Sequence, residues 1–438
     1  MDNCPTEAIR IRNGKAYIFE SKCVDCGDCY RVCPVAAIHV EHDDFNEIFK
    51  YKHRVALIPA VLTGQFPEKD DIEVIFQSLH KLGFTHVFEV EHSVDAIVAQ
   101  TKAYMKTNAD VKPLISSFCP AIVRLIQVKF PSLVDHIIRL KPPIDMSALY
   151  IRRRLIDLGA KSNEIGLFYI TPCAAKIAAV KSPVGEAVSP VNGVINMDSM
   201  FNRINRQMNN DSGTVSDLHR EHLTSNGIQW SLTGGEVANF EGRCIAIDGI
   251  ENAIEFLEKI ESEEITGIDF LELRACDQGC PGGILTSGNR FLTVERMHNR
   301  AAAFKQRDHY VQREIDSYLS FLNENMHIQP VQPRPMMRLD ENMGRAMEMM
   351  QRVRKMMCYL PGFDCGCCGS PTCRSLAEDI VKGDANISHC IFMQKMMEKN
   401  KKLSPEHSFD IIEQIWGKSR LDKNCYKKGA ENEGLAVD

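Results

Sequence analysis

From about residue 46 the chain alternates short apolar runs with longer segments whose apolar residues recur at helical spacing. Val55–Leu62 and Thr85–Val90 predict buried strands, and Ser93–Lys106 predicts an amphipathic helix. Pro113–Cys119 reads as a strand and Ala121–Phe130 as the helix after it. Met146–Leu158 is helical, Gly166–Thr171 a strand, and Cys244–Ile247 a strand leading into the helix Glu251–Ile260. Ile268–Leu271 is strand-like, and after a group of glycines Leu292–Asn325 reads as one long helix. Strands alternating with helices predict an α/β domain, whose sites form at the carboxyl ends of the strands. Pro330, Pro333 and Pro335 mark a linker. Beyond it, Leu339–Leu360 is a helix whose methionines (343, 347, 350, 356 and 357) read as a packing stripe. Arg374–Lys382 is a further helix, and residues 400–438 are polar, with a short helix at His407–Trp416 and a loose tail to which no chemistry is assigned.

Composition narrows the class. With 438 residues, two to four domains are expected. A net charge of −6 gives no reason to expect nucleic acid as a partner. No apolar run reaches the roughly 18 to 20 residues that span a bilayer, and the N-terminus has no signal-peptide pattern. A cytoplasmic protein with no membrane partner is therefore expected. Seventeen cysteines in a reducing compartment are poor candidates for disulfides, and their clustering points to iron–sulfur or zinc sites. There is no P-loop and no G-x-G-x-x-G.

The cysteines fall into three groups. Cys23, Cys26, Cys29 and Cys33-Pro34 have the C-x2-C-x2-C-x3-C-P spacing of bacterial ferredoxins. Cys4-Pro5-Thr6-Glu7-Ala8-Ile9 echoes Cys33-Pro34-Val35-Ala36-Ala37-Ile38, as the tail of a first motif whose earlier cysteines are expected upstream of Met1. Cys4, Cys23, Cys26 and Cys29 can complete one 4Fe-4S cluster, which leaves Cys33 without its partners. Cys365, Cys368, Cys373 and Cys390 have C-x2-C-x4-C-x16-C spacing, which favours another 4Fe-4S cluster, with zinc as the alternative. Three predicted strand ends deliver Cys119, Cys173 and the pair Cys276 and Cys280, so four thiolates can serve one site. Gly279, Gly282 and Gly283 permit a tight turn and a close approach of main chain to a bulky cluster; the plainer reading of the pair is two buried cysteines near a turn. Cys244, Cys358, Cys367 and Cys425 are read as structural thiols, although Cys367 could compete with Cys368 for a ligand place. No histidine has ligand spacing near a cysteine motif.

The segments SSFCP (116–120), TPCAAKIAA (171–179) and ELRACDQGCPGGI (272–284) resemble, in this order, the signatures TSCCP, MPCxxKxxE and ExMxCxxGCxxGGG of the FeFe-hydrogenases. The resemblance covers about residues 46–325. It implies an α/β H-cluster domain of two lobes, each a parallel sheet flanked by helices, with small N-terminal ferredoxin-like and C-terminal helical 4Fe-4S modules. The expected boundaries are 1–45, 46–328, 329–400 and a polar tail at 401–438. The resemblance further implies that Cys119, Cys173, Cys276 and Cys280 hold a cubane, that Cys280 bridges it to a two-iron subcluster with CO and CN ligands, and that Lys176 points at a cyanide of that unit. The departures are as informative. Phe118 stands where the family has a proton-relaying cysteine, Thr171 and Arg274 stand where it has methionines, Ala179 replaces a glutamate and Ile284 a glycine. The family's serine-rich relay segment reads here Ile138-Arg139-Leu140-Lys141-Pro142-Pro143-Ile144-Asp145. Losing a positioned acid–base group typically costs about 10² to 10⁴ in rate. The expectation is therefore a sensory hydrogenase with slow heterolytic hydrogen chemistry. It would need hydrogenase maturation proteins and pass electrons to a ferredoxin-like redox partner or a downstream signalling protein. The alternative is an electron-transfer or cluster-assembly protein of this fold without the two-iron unit.

Overall fold

The computed structural model describes residues 1, 3–68, 70–210, 223–303, 310–334 and 342–421. It divides into two compact units, Met1–Cys23 with Pro335–Asp438, and Val24–Arg334. This division differs from the expected boundaries near residues 45 and 328. Among the described residues no helix is long and apolar enough to cross a membrane.

The smaller unit is built on a hairpin of β1 (Ile9–Arg12) and β2 (Lys15–Ile18), turned at Asn13-Gly14 with both residues at positive φ. Asn-Gly suits this turn because both of its central positions need that conformation. The hairpin is held by C-terminal chain: Ile11 N–H donates to Gly369 O, Gly14 N–H to Ile415 O, and Arg10 and Arg12 both donate to Asp379 at 2.7 Å. The expected tail supplies the helix Pro405–Trp416, whose Trp416 indole donates to Cys367 O. Residues 422–438, and with them Cys425, lie outside the described residues. The methionine helix runs Met343–Met357, and its stripe is only partly packing. Met356 and Met357 lie against the core of this unit, whereas Met347 and Met350 are exposed.

The larger unit contains two parallel sheets flanked by helices, the α/β arrangement the sequence predicts. One has the order β4-β3-β6-β7, from β3 (His53–Ile58), β4 (His86–Glu89), β6 (Ile165–Thr171) and β7 (Gly193–Asn196). The other has the order β5-β9-β8, from β5 (Leu114–Ile115), β8 (Cys244–Asp248) and β9 (Phe270–Arg274). Alternation explains the continuous apolar runs. Val55, Leu57, Leu167 and Tyr169 enter one core, while Ala56, Ile58, Phe168 and Ile170 enter the core on the other face.

Several elements depart from expectation. β3 stops at Ile58, and Ala60–Gly64 is a helical turn entered through Pro59. The strand expected over 113–119 keeps only Leu114 and Ile115, because Ser116 turns inward to Glu236 and accepts the Phe118 N–H. The long helix expected over 292–325 is a series: Arg290–Ala302, Tyr310–Ser317 and Leu319–Asn325, with 304–309 outside the described residues. Two further elements have no counterpart among the expected ones: β7 and the helix Met197–Asn209, which buries Met197, Met200 and Ile204.

Candidate iron–sulfur site

Three corners at the carboxyl ends of β5, β6 and β9 carry the site. Cys119 and Cys173 are the N-cap residues of the helices Pro120–Lys129 and Ala174–Lys181. A helix N-terminus carries partial positive charge, so each thiolate would sit in a favourable field. Thr171 shapes the second corner: its hydroxyl donates to Cys173 O and accepts the Cys173 N–H. Cys276 lies two residues beyond β9, and Cys280 opens a short 3-10 turn after Gly279, which has φ 71°.

The glycines let these corners pack on each other. A Cβ at Gly283 would lie 2.4 Å from Pro172 O, one at Gly282 2.0 Å from Asp277 O, and one at Gly279 2.5 Å from Ser231 O. The Cys280 loop is thus laid directly on the Cys173 corner, and the Cys280 N–H donates to Ser231 O.

The four thiols are close enough to perturb one another. Burial pushes Cys173 up to about 12, with Cys280 and Cys119 adding to the rise and Lys176 opposing it. Burial also raises Cys276 well above the ordinary range, and the three other thiols raise it further. Lys176 places its ammonium 3.3 Å from Cys280 Sγ. Burial alone would favour the neutral amine, but Cys280, Tyr169 and Cys173 hold its pKa well above the ordinary value. Among the described residues, no three acidic, histidine or cysteine groups surround one point as a single ion would need. A cubane asks something else, one thiolate per iron. Four half-buried thiols, of which Cys173 and Cys276 are costly to ionise alone, beside a fixed cation, fit such a cluster.

The residue at the relay position is an aromatic spacer. Lys176 Nζ is 4.5 Å and Arg274 Cζ 4.1 Å from the Phe118 ring centroid, and Trp230 packs on it edge to face. Arg274 is wholly buried. Its Nε donates to Glu272 Oε1 at 3.1 Å and its Nη2 to Trp230 O at 2.9 Å, and Nη2 is ion-paired with Glu236 Oε1 at 2.9 Å. Glu272 also accepts the N–H groups of Gly234, Glu236 and Val237. Burial raises the Glu236 carboxyl to about 7, against the pull of Arg274. A cavity of about 40 Å³ beside the site is lined by Glu91, Phe118, Asp145, Tyr169 and Lys176 among others. Burial raises Glu91 to about 8 and Asp145 to about 7. Glu91, Glu236 and Trp230 were not singled out from the sequence; the only signal for Glu272 was its place at the head of the third motif.

The C-terminal cysteines form a further group. Cys368 feels Cys390 and Cys365, and Cys390 feels Cys373 and Cys365, so these four C-terminal thiols are gathered too. Cys367 donates weakly to Cys365 O, and Cys358 is exposed. Cys4 and Cys33 share one local geometry. Each Sγ accepts an N–H from the residue four positions on at 3.2 Å, and each is followed three residues later by a residue of positive φ, Glu7 and Ala36. The backbone donors also lower the pKa of Cys33.

The fold and the donor sets define an iron–sulfur protein with an α/β core. Its family follows from comparison: the model for the iron only hydrogenase large subunit, C-terminal domain, matches residues 52–241 and 219–284, more than half of the chain. The chain belongs to that family. A 4Fe-4S binding domain matches residues 16–39 and an Fe-S cluster domain residues 360–392. The chain is 24% identical over 282 residues to the NADP-reducing hydrogenase subunit HndD of Solidesulfovibrio fructosivorans, covering 57% of this chain and 46% of that protein. It is 44% identical over 51 residues to a ferredoxin of Saccharopolyspora erythraea, 12% of this chain and 48% of the ferredoxin. The chain spans about half the length of these curated relatives. A solved FeFe-hydrogenase from Chlamydomonas reinhardtii is similar at 14% identity, over 65% of this chain and 96% of that one, with a TM-score of 0.49.

Proposed function

We propose that this chain is a hydrogen-responsive FeFe-hydrogenase of low turnover. Cys119, Cys173, Cys276 and Cys280 would hold a 4Fe-4S cubane, and Cys280 would also join it to a two-iron unit with CO and CN ligands. When bound, that group supplies an open metal position and a bridging amine at which hydrogen is split heterolytically or protons are reduced. The protein's part is electrostatic and steric. Lys176 fixes a cation 3.3 Å from Cys280 Sγ in a buried pocket, where it offsets cluster charge far better than it would in water. Phe118 excludes water and carries no proton. Glu91 holds a proton at neutral pH on the cavity wall it shares with Lys176, but no titratable group stands at position 118 to hand protons inward.

The observation that carries this reading is four gathered thiols with Lys176 on Cys280 and a non-titrating ring at the relay position. A site that keeps its ligands and lacks its relay suits reporting hydrogen to a partner. The ferredoxin-type motif and the C-terminal thiols, which would hold further 4Fe-4S clusters, supply the means of passing electrons on. The name of the HndD relative, a subunit of a larger hydrogenase, supports exchange with a partner protein.

The test is infrared spectroscopy after treatment with the maturation proteins. CO and CN stretching bands, with hydrogen-dependent dye reduction that rises about 10²-fold or more in Phe118→Cys, are expected. Iron and sulfide without those bands would point instead to an electron-transfer or cluster-assembly role. Rapid turnover of the unmodified chain would refute the relay argument.

A further inference from the structure

Arg274 is held by more groups than packing requires, yet one of its donors is left over. Nε and Nη2 are engaged by Glu272, Glu236 and Trp230 O, while Nη1 is buried and has no hydrogen-bond partner among the described residues. A buried guanidinium N–H without an acceptor costs on the order of 1–3 kcal/mol or more, so its retention calls for an acceptor from outside the chain. The neighbouring Trp230 Nε1 and Ser231 Oγ are buried and likewise have no partner among the described residues, and Ser231 O receives the Cys280 N–H. Arg274 stacks on Phe118, whose ring Lys176 also contacts, and lies within electrostatic reach of Cys280 and Cys119. Two cations therefore converge on one aromatic ring beside the thiols, and of the two only Lys176 has a sulfur partner among the described residues.

We infer that Arg274 is a second cationic donor to the cofactor, with Nη1 reserved for an acceptor atom of the two-iron unit, and that Phe118 is the platform that holds it there. Glu272 and Glu236 fix the orientation of the guanidinium. Without them it could turn Nη1 toward protein acceptors, and neutralising part of its charge keeps a second buried cation beside Lys176 tolerable. Arg274 thereby withdraws electron density from the cofactor and favours its reduced, more anionic state.

The inference rests on the cofactor-bearing reading above and is tested by infrared-monitored redox titration of the matured full-length chain, which reads band positions and midpoint potential at this site alone. In Arg274→Met the CO bands are expected at lower wavenumber and the midpoint potential at a more negative value, because the reduced state has lost a cation. Arg274→Lys keeps the charge and an ion pair but not the planar fork. It should retain most of the potential while its CN bands shift. A merely structural arginine would move neither bands nor potential in a variant with full iron content. If the wild type shows bands and Arg274→Lys leaves every one of them in place, the donor role is overturned, even where Arg274→Met does not fold. If the wild type itself matures without CO and CN bands, the cofactor-bearing reading fails first and this inference falls with it.

Discussion

Glu91 gives the sharpest stability prediction. Its side chain is 3% exposed, its Oε2 accepts the Ala60 N–H at 2.9 Å, and burial, reinforced by nearby Glu89, raises its carboxyl from the ordinary 4.5 to about 8. Folding therefore strengthens proton binding. The group's stabilising contribution is fully present below pH 4.5 and is lost as pH rises toward 8, where the buried carboxylate ionises. At 1.36 kcal/mol per tenfold change, that displacement corresponds to about 5 kcal/mol of stability lost between those limits. Glu91→Gln keeps a carbonyl acceptor for Ala60 and cannot ionise, so it should match the wild type near pH 5 and exceed it by several kcal/mol at pH 9. The two units need separate probes, since unfolding of such a chain need not be two-state. The two tryptophans allow this: Trp230 is buried in the larger unit and Trp416 lies in the smaller, so Trp416→Phe isolates the relevant signal. Urea unfolding by Trp230 fluorescence from pH 5 to pH 9, on matched iron-free preparations, measures the slope. Parallel pH profiles for wild type and Glu91→Gln would sink the assignment of a buried, proton-holding carboxyl beside the site.

Two further perturbations test the architecture. Asp379→Asn leaves Arg10 and Arg12 without their shared carboxylate in a buried setting, which should destabilise the smaller unit by about 3–5 kcal/mol; the Trp416 unfolding transition should shift and the Trp230 transition should not. Gly283→Ala forces the Cys280 loop off Pro172 O, so the chain should lose about four irons on reconstitution while the C-terminal cysteines still load. Full iron content in Gly283→Ala would show that the two corners need not touch.

Much of the site was legible because its chemistry sits at strand ends, where a one-dimensional pattern maps onto a three-dimensional place. Cys119, Cys173, Cys276 and Cys280 were singled out by residue type and place at strand ends, Lys176 by the resemblance of its segment, and the structure brings the five together. The hidden part consists of residues whose role depends on partners far along the chain. Ser116 and Glu236 are 120 positions apart and look like ordinary polar residues until folding pairs them. Periodicity failed where local chemistry overrode it. Leu114 and Ile115 are followed by two serines; the Ser116 N–H still reaches Leu271 O on β9, but its hydroxyl takes the Phe118 N–H and the ladder ends. The helix expected at His407–Trp416 is present as Pro405–Trp416, but the contacts that order it lie on a hairpin some 400 residues away and could not be read from the segment itself.

The departures at 118 and 274 look independent in the sequence, but the structure makes them one change. A guanidinium at 274 cannot be buried on its carboxylates alone, because its flat face would be left against empty space, and the Phe118 ring 4.1 Å away fills it. A cysteine at 118 would remove that face and the surface under Lys176 together. Phe118→Cys alone therefore mixes two effects, a gained proton carrier and a loosened pair of cations, and substitutions in contact are not additive. Phe118→Cys combined with Arg274→Met restores both family residues at once and separates the two effects. If turnover rises more in the pair than in the single variant, the relay and the cation platform are alternative uses of one position, and this chain has kept the second.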